Sequence, residues 1–176
     1  MGVLIRLWML ALMSLAMTVH AQEEEIIWSP DVRLEWSDFR GKARENSRIA
    51  AVTASGISYR FSSLEGDDGY YEVEYEVSTF FYPLKSWYHP HKCDDLVLSH
   101  EQLHFDIAEL FARRMRTTID NTRFTENVKA EINAIYRQTL IELEDFQDKY
   151  DIETNYSMNR PAQLKWNREI EEALNQ

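Results

Sequence analysis

Residues 71–81 read YEVEYEVSTFF, and no other stretch limits the possible folds as tightly. Tyr71, Val73, Tyr75, Val77, Thr79 and Phe81 alternate with Glu72, Glu74, Glu76 and Ser78. A period of two puts the first set on one face of a strand and the carboxylates on the other. That pattern describes an antiparallel sheet packed on one side and wet on the other. Upstream, AAVTASGISYRFSS at residues 50–63 is rich in β-branched and aromatic residues, and LEGDDG supplies turn chemistry between the two runs. Together they predict a β-hairpin, ended by Pro83, which cannot donate to a ladder.

From Asp94 the period becomes that of a helix. Leu96, Leu103, Ile107 and Phe111 share a stripe, and Asp94 or Asp95 can cap its start. The polar TTIDNT at residues 117–122 interrupts it, after which Val128, Ile132, Ile135, Leu143, Phe146 and Tyr150 mark a second helix. ETNYSMN reads as a loop, and Pro161 opens a third helix lined by Trp166, Ile170 and Leu174. The fold class is α+β: a small antiparallel sheet followed by a helical half, in a single domain over residues 22–176.

Residues 1–21 are read as a cleaved signal peptide. Arg6 precedes an apolar run over residues 7–19, too short for a comfortable membrane span, and Val19-His20-Ala21 ends it with small residues where a signal peptidase reads. The expected location is therefore exported, periplasmic or secreted, with no stable membrane span after cleavage. The formal charge is −11, and the loss of Arg6 takes it to −12. Such an acidic balance argues against nucleic acid as a partner. Cys93 is the lone cysteine and cannot form an internal disulfide.

The chemistry concentrates in SHEQLHFDIAEL at residues 99–110, an H-E-x-x-H arrangement on the first helix. Each helical residue turns about 100°, so His104 lies roughly 40° from His100 and one turn on. Both imidazoles then face one way and can share a tetrahedral zinc ion. Glu101 sits on the flank of that face, placed to act as general base toward water. The same stripe carries Leu103, Ile107 and Phe111, so the histidines could instead be core residues. Two neighbouring buried imidazoles, however, each need a hydrogen-bond partner and resist charging, and a shared cation relieves both costs.

Other stretches carry less. HPHKC offers His89, His91 and Cys93, but Pro90 keeps it off a helix and it reads as an exposed loop. LEDFQDKYDIE lacks the alternating ligand and glycine pattern of a calcium loop and reads as a solvated helix face. No G-x-S-x-G motif and no glycine-rich phosphate loop is present.

With LEWSDFRG, AAVTASGISY, KSWY, HEQLHFDIAELFARR and YDIETNYSMNRPAQLKW in place, the chain resembles a family of predicted secreted zinc-dependent proteases, a group otherwise described as a domain of unknown function. The resemblance implies a zincin-like peptidase domain, with Zn2+ on His100 and His104 and Glu101 as catalytic base. The family's tail usually reads E-T-x-H, whereas this chain has Glu153-Thr154-Asn155-Tyr156. Tyr156 is thus one candidate for the third zinc ligand, and aromatic packing is its other reading. If the two long helices run antiparallel about Asn121, Glu142 lies opposite His100 and is a second candidate, while Glu131 falls opposite Phe111 and is poorer. The third ligand stays open at this point.

The function expected is hydrolysis of a peptide or protein substrate by an exported zinc metallopeptidase. Two alternatives stand beside it: a zinc-binding but inactive relative, and a metal-free exported binding or structural module.

Overall fold

The computed structural model describes residues 24–176. The signal peptide expected over residues 1–21 lies outside them. The elements in chain order are β1 (Ile26–Ile27), β2 (Ala51–Val52), β3 (Ser55–Glu65), β4 (Tyr71–Phe81), β5 (Trp87–Tyr88), α1 (Asp95–Asp120), α2 (Val128–Thr154) and α3 (Arg160–Leu174). Short 3-10 turns lie at Trp36–Asp38 and Pro90–Lys92. The fold is α+β, with a small antiparallel sheet and three helices.

The hairpin forms as the alternation predicts. β3 and β4 pair antiparallel with Tyr59 opposite Val77 and Phe61 opposite Tyr75. Gly66 N–H donates to Tyr70 O at 2.7 Å across the turn, and Gly69 adopts φ 77°, a left-handed conformation that glycine enters without a Cβ penalty. Glu72, Glu74 and Glu76 are exposed, whereas Val77, Thr79 and Phe81 are buried. One expectation changes in detail. Residues 50–63 form two strands instead of one, because the chain breaks at Thr53–Ala54 and moves between sheets. Ala54 N–H donates to Ser86 Oγ at 2.9 Å, and β2 pairs with β5 in a separate two-stranded sheet.

The outer edge of β4 is occupied near its end. β1 pairs with its last two residues, Trp28 N–H donates to Thr79 O at 2.9 Å, and the Arg116 guanidinium donates to Val77 O at 2.7 Å. Unpaired strand edges invite intermolecular pairing, and these contacts remove that template.

α1 is the centre of the molecule. Asp94 caps it, its carboxylate accepting from Leu96 and Val97 N–H at 3.0 Å each. The helix runs through the polar segment to Asp120, further than the composition suggests. Thr117, Thr118 and Thr122 turn their hydroxyls back onto carbonyls four residues earlier, so these residues serve the helix and its exit without needing a loop. Ile107, Phe111 and Met115 pack toward the sheet and the other helices, while Phe105 closes a second cluster with Leu34, Phe39 and Phe81. Between these sits a buried carboxylate. Glu109 accepts from Thr79 Oγ1 at 2.8 Å and from Arg116 at 2.9 Å, which fastens α1 to β4. Among the described residues no helix is long and apolar enough to cross a membrane.

Removing the Ile107 side chain beyond Cβ should leave a cavity at this centre. Ile107→Ala is expected to lower stability by about 2–5 kcal/mol, and Ile152→Ala, on the exposed face of α2, by under about 0.5 kcal/mol. Urea unfolding of the two variants checks the contrast.

Candidate metal centre

α1 sets His100 and His104 one turn apart with ring centroids 4.9 Å apart and planes nearly perpendicular. Their Nε2 atoms approach to 3.3 Å. Between them comes a carboxylate from the last turn of α2: Asp151 Oδ1 lies 3.0 Å from His100 Nε2 and 3.1 Å from His104 Nε2. Among the described residues these three form the one cluster of histidine, cysteine and carboxylate side chains that could hold a metal ion.

The triangle can be tested against an ion. Zinc takes imidazole nitrogen and carboxylate oxygen at about 2.0–2.2 Å in tetrahedral array, which separates neighbouring donors by about 3.3–3.5 Å. The observed edges of 3.0, 3.1 and 3.3 Å fall within a few tenths of an ångström of that requirement. Two nitrogens and one carboxylate oxygen also suit zinc chemically and leave a fourth position free. The residues present therefore fit a zinc ion.

Packing holds the donors in place. His100 is 4 % exposed, and the Tyr150 ring stacks on it at 4.5 Å while meeting His104 edge-on at 5.1 Å. Tyr150 O–H donates to His100 O at 3.2 Å, and burial pushes its phenol pKa far up, so it remains a neutral wall. Gln163 of α3 meets His100 Nδ1 at 2.9 Å, and Gln147 donates to His104 O at 3.1 Å. His104 and Asp151 are only half-buried, so the cluster opens to solvent on their side. Partial burial of Asp151 opposes its ionisation. The hydrogen bonds from the two imidazoles outweigh that cost and hold its carboxyl below the usual carboxylate range.

Glu101 lies on the flank that helical geometry assigns to it. It is 5 % exposed, yet its carboxylate has no hydrogen-bond partner among the described residues. Its charge is felt by Tyr150 on one side and by Cys93, whose thiol burial pushes up, on the other. The Glu101 carbonyl is separately anchored by Thr53 Oγ1 at 3.1 Å, at the break between β2 and β3.

Neither Glu142 nor Tyr156, the two candidates for a third ligand, has a side-chain bond to this cluster among the described residues, although Tyr156 N–H donates to Asp151 O at 2.9 Å. Glu142 is exposed and accepts from Gln138 at 2.8 Å, and Tyr156 is 62 % exposed on the α2–α3 turn. The antiparallel estimate placed the pivot at Asn121, but seven residues of connection separate Asp120 from Val128 and do not climb back along α1. Asp151 therefore stands opposite His100, nine residues or about 13 Å of helix beyond Glu142. The acidic run around Asp151 was visible, but nothing in it singled out this carboxylate. Among the described residues the HPHKC segment joins no metal cluster, and His89 Nε2 is an occluded atom with no hydrogen-bond partner there, set against the Trp87 ring.

Asp151→Asn is expected to weaken zinc binding by more than the about 10–100-fold typical of losing an outer-sphere partner, while Glu142→Ala and Tyr156→Phe leave it unchanged. Chelator competition measures all three. A pH effect follows from the same carboxyl in metal-free protein. Its folded-state pKa is depressed, so its contribution to stability is full above the unfolded value near ~4 and is lost as pH falls through the folded one. The stability gap between wild type and Asp151→Asn should narrow from about pH 5 to about pH 2, as followed by urea melts.

Residues 85–158 match the family model described as a bacterial protein of unknown function (DUF922), a span that contains α1, α2 and all three residues of the cluster. Neither the comparison with curated proteins nor that with solved structures finds a match.

Proposed function

We propose that the chain is a zinc-dependent metallopeptidase, acting after export on a peptide or protein substrate. The observation that carries this reading is the meeting of three donor atoms from α1 and α2 within 4.8 Å of one another, beside a buried glutamate whose carboxylate has no hydrogen-bond partner among the described residues. His100, His104 and Asp151 would hold the ion. Zinc supplies Lewis acidity toward a peptide carbonyl and lowers the pKa of water in its open position.

The residues of the chain then have separable tasks. Glu101 takes a proton from the attacking water as its oxygen bonds to the peptide carbon, and delivers that proton to the leaving amine as the C–N bond breaks. A carboxylate already committed to a hydrogen bond would first have to release it, and Glu101 has none to release. Thr53, just after β2, bonds the backbone carbonyl of this residue, whereas the outer β4 edge of the central hairpin is partly occupied. An extended substrate lying by Glu101 would therefore meet the β2 side of the molecule.

The partnerless carboxylate also separates this reading from a zinc-binding relative without turnover, in which nothing requires a free base at this position. Glu101→Gln is expected to keep stoichiometric zinc and to lower kcat on a cleaved peptide by about 10²–10⁴-fold. Equal turnover by the variant and wild type, measured side by side with metal content, would remove Glu101 from the mechanism. Zinc without hydrolysis of any peptide in a diverse library would favour the inactive relative.

A further inference from the structure

The third helix makes one polar contact with the candidate centre. Gln163 is completely buried, and its Oε1 lies 2.9 Å from His100 Nδ1, the ring nitrogen that faces away from Asp151 and His104. Which end of the amide faces the ring follows from the neighbours. Tyr150 has one hydroxyl proton, and it goes to His100 O, a backbone carbonyl that can only accept. The Tyr150 oxygen must then accept from Gln163, 2.6 Å away, so the amide NH2 points at Tyr150. The same NH2 donates to Asn167 Oδ1 at 2.8 Å, and Asn167 in turn donates to Ser99 Oγ on α1 at 2.7 Å. With its nitrogen so engaged, Gln163 has only its carbonyl oxygen to offer His100. A carbonyl oxygen there requires a proton on Nδ1.

We propose that Gln163 is the positioning residue of the centre: it holds the proton of His100 on Nδ1, so that Nε2 is the nitrogen that gives up its proton and offers a lone pair to a cation shared with His104 and Asp151. This rests on the metal reading given above. Metal-bound histidines generally donate their other ring N–H to a carboxylate, a backbone carbonyl or water, which fixes both tautomer and ring direction. Here a side-chain amide takes that part. A neutral acceptor sets the tautomer without adding a third carboxylate to a buried region that already contains Asp151 and Glu101. The two histidines are also held unequally. His104 Nδ1 has no protein partner among the described residues and its ring is partly open to solvent, so only His100 is locked from behind. Gln163 lies beyond residues 85–158, so the lock comes from outside the span that the family model matches.

The test uses the full chain, zinc, and two substitutions of nearly equal volume. Gln163→Met removes the acceptor, and Gln163→Glu keeps an oxygen facing His100 while giving up the NH2. Chelator competition is expected to show zinc affinity reduced about 10–100-fold in the Met variant and within a few-fold of wild type in the Glu variant. Nitrogen–proton NMR of the zinc-loaded protein should show an exchange-protected Nδ1–H on His100 in wild type and in the Glu variant, and not in the Met variant. Melting curves of the metal-free forms report packing separately. The proposal is overturned if all three proteins bind zinc equally, if both variants lose affinity in proportion to their loss of metal-free stability, or if the loaded wild type carries the His100 proton on Nε2. Wild type that binds no zinc at all would instead overturn the metal reading on which the proposal stands.

Discussion

An imidazole buried without hydrogen-bond partners costs free energy, and α1 carries two imidazoles one turn apart, His100 buried and His104 half-buried. The rest of the helical half is arranged around meeting that cost. α2 brings a carboxylate to both Nε2 atoms and an aromatic ring to stack on His100, and α3 brings an amide to the remaining nitrogen of His100. Each of the three helices contributes something the other two cannot reach. A triangle of donors built this way sits on helices, which position side chains more closely than loops do.

The sheet and the N-terminal segment act on the centre at one remove. Glu109 and Arg116 fasten α1 to β4, and Phe105 is clamped between the sheet and the segment containing Leu34 and Phe39. α1 is therefore held by the sheet and the other helices through one cluster and by the N-terminal segment through the other. The carboxylates of this arrangement differ in how they are engaged. Asp94, Glu109 and Asp151 each have defined hydrogen-bond partners, whereas the Glu101 carboxylate has none among the described residues.

The hairpin, the helix start at Asp94 and the α+β class could be read from local patterns because each is written in residues close together in the chain. Alternation exposes Glu72, Glu74 and Glu76 whatever packs on the other face, and the carboxylate of Asp94 needs only its own first turn. Helix ends were harder to place. The threonines at residues 117 and 118 are polar enough to suggest a loop, yet their hydroxyls bond back along α1. His100, Glu101 and His104 were legible for the same reason as the hairpin, since helical geometry alone places them on adjoining faces. Asp151 was not, because its distance from His100 depends on how much chain the α1–α2 connection consumes.

Sequence by itself determined the period-two hairpin, the helical second half, and the pairing of two imidazoles with an adjacent carboxylate, because all of these follow from spacing within a single element. Only the tertiary structure decided that Asp151 completes the triangle and that Gln163 stands behind His100. Residues 51 and 63 positions apart meet according to loop length and helix packing, and no local periodicity encodes either.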